Sequence, residues 1–196
     1  DIIPETMHVK VGVTQPKKTV PIQVVAVGTM EEDLAIETCT LSLDEITLYG
    51  KQSVLDQISS IEVSLPVSGI NSDRTLNMPI TLPSGVTSAS ANQVTISVTV
   101  GERTSRTFSD VPIDRINVSD ALADKRIQMS NETVDVTVYG SKTMLQNIDK
   151  EDIMVTADLK GISENGETTL ALAVSGSNRL VEYDLSIDEI TVTVND

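Results

Sequence analysis

A repeated stretch constrains the fold of this 196-residue chain more than any other feature of its sequence. The stretch Ile-Thr-Leu-Tyr-Gly-Lys-Gln-Ser-Val-Leu-Asp-Gln-Ile occupies positions 46–58, and Val-Thr-Val-Tyr-Gly-Ser-Lys-Thr-Met-Leu-Gln-Asn-Ile occupies 136–148. Two of the three tyrosines, Tyr49 and Tyr139, share one position in it. A period of this length predicts two copies of one module in series.

Each copy changes its hydrophobic period at a glycine, Gly50 or Gly140. Apolar and polar residues alternate before the glycine, which predicts a half-buried strand, and the apolar residues after it have helical spacing. We therefore predict a strand, a turn where glycine permits positive φ, and one short helix. We also expect each tyrosine to bury its ring against that helix. The structural motif residues are Tyr49, Gly50, Leu55, Ile58, Tyr139, Gly140, Leu145 and Ile148.

Composition favours strands for the rest of the chain. Hydrophobic residues make up 39%, aromatic residues only 2%, and tryptophan is absent. The cores must therefore be built mainly from valine, isoleucine, leucine, methionine and alanine, and β-branched residues favour sheets. The fold class predicted is mostly β, with one short helix per module.

Other alternating runs recur in the same order in both halves. Prolines inside the first run, Pro21 and Pro112, predict edge strands or strand entries. Residues 30–37 and 119–124 are each compatible with a helical turn or a loop. The strands predicted at corresponding positions of the two copies are 18–24 and 106–113, 61–67 and 153–159, 75–80 and 169–174, and 94–100 and 190–194.

These repeats predict the domain boundaries. We assign one module to 17–101 and a second to 102–196, with 1–16 as the closing strand of a preceding copy plus a linker. Residues 101–106 are too short for a flexible tether, so we expect a fixed or restricted bend between the modules. Because the sequence begins at Asp1 in the middle of this pattern, we expect it to be part of a longer chain.

Charge excludes some classes of partner. Fourteen Lys and Arg against 29 Asp and Glu give a net charge of −15, which repels nucleic acids and anionic membrane surfaces. No apolar run approaches the roughly 18 residues of a spanning helix. We predict neither nucleic-acid binding nor membrane insertion by these residues.

Residues for catalysis or metal binding are scarce. The single histidine, His8, and the single cysteine, Cys39, cannot supply a histidine cluster or a clearly positioned nucleophilic pair. We interpret Cys39 as a small buried or half-buried apolar residue. Acidic runs at 31–33, 44–45 and 188–189 lack the regular spacing of a calcium loop, and we interpret them as solvated charge. No catalytic, metal or cofactor site is predicted, and we do not expect an enzyme.

The ordered series of elements resembles the YbbR domain. It consists of the strand with Tyr-Gly, the short helix with Val54-Leu55 or Met144-Leu145, the strand ending in Gly69-Ile70 or Gly161-Ile162, and a closing Val-x-Val strand. The resemblance covers about 18–100 and 105–196. Many family members carry proline after the Tyr-Gly glycine, whereas this chain has Lys51 and Ser141.

The resemblance implies a function that the residues alone do not. Tandem YbbR domains are best known in partners of the membrane diadenylate cyclase of Gram-positive bacteria, which makes cyclic di-AMP. It implies non-catalytic, extracytoplasmic modules of a protein anchored by an N-terminal transmembrane helix absent from this sequence. Structural or envelope-binding spacer modules without a role in nucleotide signalling remain the alternative.

Overall fold

The chain folds mainly into β-strands, as its composition predicts, and the described residues include two short α-helices. The computed structural model describes residues 15–122, 125–162 and 164–196. The strand predicted within 1–16, with His8, lies outside them. The strands are β1 (Lys17–Val27), β2 (Leu34–Leu41), β3 (Glu45–Gly50), β4 (Ile61–Pro66), β5 (Arg74–Pro79), β6 (Val86–Ala89), β7 (Gln93–Ile116), β8 (Arg126–Met129), β9 (Thr133–Ser141), β10 (Ile153–Asp158), β11 (Gly166–Gly176), β12 (Glu182–Leu185) and β13 (Glu189–Asn195).

A short helix follows each Tyr-Gly pair, as predicted. Helix α1 is Gln52–Leu55 and helix α2 is Lys142–Gln146. The two ambiguous segments resolve differently. Residues 30–33 form a loop that leads into β2, whereas Asp120–Leu122 form one 3-10 turn.

The first module has one sheet in the order β4-β1-β3-β6 and a second group in which β2 and β5 pair with the start of β7. Alternate residues from both sheets meet in a single core. That core contains Val20, Ile36, Ile46, Leu48, Leu55, Ile61, Val63, Leu65, Ile96 and Val98, among others.

The second module repeats these pairings. The end of β7 pairs with β9 and β10, β12 pairs with β9, and β13 pairs with β8 and β11. Strand β11 is longer than β5 and also pairs with β10, which joins the two groups of the second module. Together with β2 and β5, which pair with the start of β7, these strands form one nine-stranded sheet. Its separate core contains Phe108, Leu122, Val136, Val138, Leu145, Ile148, Val155, Leu159, Ile190 and Val192, among others.

One strand belongs to both modules. Strand β7 has 24 residues. Its first half pairs with β2 and β5, and its second half pairs with β9 and β10. The expected junction, residues 101–106, is therefore part of a strand. Gly101 pairs with Ala35 of β2, and Arg106 pairs with Val138 of β9.

Both prolines lie where a strand changes from one partner strand to another. Pro21 is the last residue of β1 to pair with β3 before the strand turns to parallel pairing with β4 at Ile22. Pro112 holds the same place in β7, which changes from β9 to β10 at Ile113. A residue without an N–H is tolerated where a strand exchanges one partner for another, because the ladder is interrupted there.

Positive φ is not the reason for glycine after the tyrosines. Neither Gly50 nor Gly140 has positive φ, whereas Gly69 and Gly161, in the Gly-Ile pairs, have φ of +76° and +87°. A Cβ at Gly50 would lie 3.0 Å from the carbonyl oxygen of Gly85, and one at Gly140 would lie 2.9 Å from Cγ1 of Val181. Close approach of a neighbouring segment therefore requires glycine at both positions.

Candidate interaction site between the modules

The leucines and isoleucines of the repeated motif lie at the helix end of each module. Leu55, Leu145 and Ile148 are 0%, 3% and 1% exposed, and Ile58 is half-buried against the first core. Each helix thus closes one end of its own core. This position accounts for the helical spacing of the apolar residues after Tyr-Gly.

The structure leaves the motif tyrosines half-buried, rather than buried as expected. Tyr49 follows the fully buried Leu48 along β3, and Tyr139 follows the fully buried Val138 along β9. Because side chains alternate across a strand, both rings lie on the face away from the core. Tyr139 lies at the junction, where the guanidinium of Arg103 is 4.8 Å from its ring centroid.

A basic side chain caps the end of each short helix. Lys18 Nζ donates to the carbonyl oxygen of Leu55 at 3.1 Å, and an Arg106 Nη donates to those of Leu145 and Ile148 at 3.0 and 2.9 Å. Cations are favourable where the last carbonyls of a helix lack partners. These cations therefore have a structural role in both modules.

The loop between β11 and β12, residues 177–181, reaches from the second module to the first. The Ala26 N–H donates to the carbonyl oxygen of Arg179 at 3.2 Å. The Arg179 guanidinium forms an ion pair with Glu62 at 2.8 Å, and Leu180 packs against the first core. The contact combines a backbone hydrogen bond, a charge pair and an apolar anchor.

Asn178 holds this loop in shape from within the second module. Its side-chain oxygen accepts from the Leu180 N–H at 2.9 Å, and its amide contacts the sulfur of Met144 at 3.4 Å. Its carbonyl oxygen accepts from the Tyr183 hydroxyl at 2.9 Å. Burial raises the pKa of the Tyr183 hydroxyl, and the negative charge of Asp152 adds to the increase.

Arg103 links the junction strand to both modules. Its N–H donates to the carbonyl oxygen of Asp33 at 2.9 Å, and its guanidinium pairs with Glu182 at 2.6 Å while it lies over Tyr139. Helix α2 adds to the contact because Met144 also packs against the first core. The Thr143 hydroxyl approaches Glu37 at 3.4 Å.

Concave surfaces flank this contact. A cavity of about 100 Å³ lies between the modules, lined by Met30, Ile36, Tyr139, Leu180 and other residues, and it is smaller than a typical ligand pocket. A second concavity of about 220 Å³ is bounded by Cys39 and by residues 177–180. An open groove of about 590 Å³ contains Arg103, Arg106 and Lys142. The first two cations already have protein partners.

Cys39 matches its predicted character. It is a free, half-buried thiol packed against the first core. Burial raises its pKa above the ordinary value, so less of the reactive thiolate is present near neutral pH.

In the described residues, no group of three or more His, Cys, Asp or Glu side chains could hold a metal ion. No described helix has the length and apolar character needed to cross a membrane.

Sequence reasoning missed the residues that join the modules. A search for recurrence ignores Asn178, Arg179, Leu180 and Tyr183, because they are not part of the repeated pattern. Arg103 lies within the predicted junction, residues 101–106, but its partners were not predicted. The signal available was the third tyrosine, Tyr183, which has no counterpart at its position in the first copy. An unshared aromatic residue in a chain with so few aromatics indicates a role particular to one module.

Comparisons with known proteins give the chain its family. The model of the YbbR-like protein family matches residues 20–100 and 111–194. The CdaA regulatory protein CdaR of Bacillus subtilis is 32% identical over 177 residues, which is 90% of this chain. The chain spans 36% of that protein's length.

Solved structures with YbbR-like descriptions are also similar. A YbbR-like domain from Listeria monocytogenes is 24% identical, covers 47% of this chain and 93% of its own, and has a TM-score of 0.41. A YbbR-like protein from Streptococcus pneumoniae is 15% identical, covers 96% of this chain and 98% of its own, and has a TM-score of 0.36. Because the family model matches twice and accounts for most of the residues, the chain belongs to the YbbR family.

Proposed function

We propose that these two modules are the non-catalytic, extracytoplasmic part of a membrane-anchored protein that modulates a diadenylate cyclase. The observation that carries the proposal is the 32% identity, over 90% of this chain, with a protein named as the regulator of CdaA. The anchor is proposed to be an N-terminal transmembrane helix outside this sequence. The modules themselves are proposed to act by contact with the cyclase complex or with an envelope component.

The distribution of charged side chains supports a binding role rather than catalysis. Arg103 is paired with Glu182, Arg179 is paired with Glu62, and Arg106 is committed to helix carbonyls. Here the arginines maintain the shape of the modules and of their junction, and we propose that the surfaces they hold in place are the functional feature.

The module boundaries remain part of the proposal. We divide the chain into 1–16, 17–101 and 102–196, so that each of the two modules contains its own core. Because β7 is continuous through residues 101–106, the border crosses a strand instead of a loop. Separate expression of 17–101 would test this division, since an autonomous module gives a cooperative unfolding transition.

The test of function measures cyclic di-AMP in cells that contain the full-length protein and its cyclase. One strain carries the intact protein, and a second lacks residues 17–196 but keeps the preceding chain. In a third, two unrelated β modules of similar length replace these residues, which controls for simple spacing. We expect cyclase output in the second and third strains to differ from that of the intact protein.

The outcomes separate the proposal from its alternative. Unchanged cyclic di-AMP in all three strains would remove these modules from regulation and assign control to the rest of the protein. Restoration by the unrelated modules alone would indicate a spacer. Saturable retention of the purified chain on cell-wall material, together with unchanged cyclase output, would favour an envelope-binding spacer.

A further inference from the structure

We propose that residues 177–181, hereafter the latch, fix the second module against the first so that the two move as one rigid body. This inference concerns the mechanics of the chain and holds whatever partner the modules contact. Modules joined within one chain are expected to move relative to each other unless their interface prevents it. The latch supplies the contacts that prevent that motion.

The latch anchors to both cores through adjacent residues. Leu180 packs against the core of the first module, and Val181 packs against the core of the second. Leu180 lies in a turn and Val181 lies directly before β12, so one short stretch enters two cores at once. A bend between the modules would withdraw Leu180 or Val181 from apolar surroundings, which is unfavourable.

The latch also has a defined orientation. The Ala26 N–H to Arg179 carbonyl bond and the Arg179 to Glu62 ion pair fix the position of the loop along β1 and β4. Both charged side chains of the pair are about half exposed, 50% and 56%, so the pair contributes specificity more than stability. Leu180 is therefore the main energetic anchor, and Arg179 sets its register.

The second module holds the latch in its binding conformation. Asn178 accepts from Leu180 N–H and from Tyr183, and the Ser177 N–H donates to the carbonyl oxygen of Asp152 at 3.1 Å. A loop that is already ordered loses little conformational entropy when it docks. These bonds lie within the second module and so persist whether or not the first module is in contact.

A second attachment is needed to prevent rotation. Strand β7 alone connects the modules covalently, and a single strand permits twisting about its axis. The latch contacts the first module at β1 and β4, whereas β7 pairs within that module with β2 and β5. Two attachments on different strands leave no free axis, and Met144 adds a further contact from α2.

The native thiol reports on docking of the latch. Cys39 bounds the concavity formed with residues 177–180, and it is half-buried there. The alkylation rate of Cys39 by a maleimide should rise several-fold in Leu180→Ser. Leu43→Ser is the matched control, because Leu43 is already 40% exposed on the first module. Asn178→Ala provides a second variant that keeps Leu180 and releases the loop from its internal bonds.

The rigid-body claim requires a distance measurement between modules. In a Cys39→Ser background, nitroxide labels at Asn71→Cys and Glu151→Cys place one exposed probe on each module. Pulsed electron double resonance should give one narrow distance distribution, broadened about twofold or more by Leu180→Ser or Asn178→Ala. Far-UV circular dichroism confirms that each variant keeps its strands, and Asn178→Ala carries the test if Leu180→Ser does not fold.

A broad distance distribution in the doubly labelled Cys39→Ser chain with an unaltered latch would overturn the proposal. So would a narrow distribution in a folded Asn178→Ala or Leu180→Ser variant, even with faster alkylation of Cys39, because β7 and the contacts of α2 would then hold the modules without the latch.

Discussion

Gly176 lies directly beneath the ring of Tyr183, so close that a Cβ atom at Gly176 would overlap the hydroxyl and the ring carbons. In this position the Tyr183 hydroxyl donates to the carbonyl oxygen of Asn178 at 2.9 Å. A glycine at the end of β11 therefore allows the bond that orders residues 177–181. The relationship has no counterpart in the motif shared by the two modules.

Gly176→Ala should destabilise the chain by about 1–3 kcal/mol, because the methyl group forces the Tyr183 ring out of its place. Chemical denaturation followed by circular dichroism gives the change in the free energy of unfolding. Ser175→Ala, at the neighbouring exposed position, is the matched control. Equal midpoints for the two variants would show that the ring moves aside without cost.

Gly140→Ala should also be destabilising, and its effect should depend on Val181. The methyl group would meet Cγ1 of Val181, whereas in the first module Gly50→Ala would meet the backbone carbonyl of Gly85. Because Val181→Ala removes the atom that the new methyl group would meet, Gly140→Ala should destabilise the Val181→Ala variant less than it destabilises the natural chain. Additive effects in this double-mutant cycle would contradict the packing explanation.

Arg106→Ala should lower the free energy of unfolding by about 1 kcal/mol, since two carbonyls at the end of α2 lose a charged donor. The guanidinium also lies 4.4 Å from the Phe108 ring centroid, so the contact with this ring also contributes to the free energy of unfolding. Arg106→Lys should retain part of the stability, because Lys18 performs the same task in the first module. Thermal denaturation of both variants, with Lys18→Arg as the control, measures this difference.

The repeated half of the structure could be predicted from the sequence. Alternation around Leu48 and Val138 indicated the buried strand, and the spacing of Leu55 and Leu145 indicated the helix, because burial in each module depends on local periodicity. The Gly-Ile pairs likewise marked the ends of the preceding strands, although the positive φ predicted for Gly50 and Gly140 lies instead at Gly69 and Gly161. Such features are encoded within a few residues of one another.

The junction could not be predicted in the same way. Contacts such as Arg179 with Glu62, or Leu180 with the first core, join residues far apart in sequence and occur once in the chain. Pairing of β7 with four strands is also non-local, so residues 101–106 resemble a polar linker in sequence while they form strand. The half-buried tyrosines have a different cause, because side-chain alternation places both rings on the face away from the core.

High pH should weaken the chain through Tyr183. Burial raises the pKa of this hydroxyl above its ordinary value of 10.0, so the folded state holds the proton more tightly than the unfolded state. The resulting stabilisation is complete below pH 10 and is lost as pH rises through the higher folded pKa. The phenolate also cannot donate to Asn178, which removes the bond that orders residues 177–181. Unfolding midpoints between pH 9 and 11 should therefore fall more steeply with pH for the natural chain than for Tyr183→Phe, with Tyr49→Phe as the control; parallel curves would contradict this role for Tyr183.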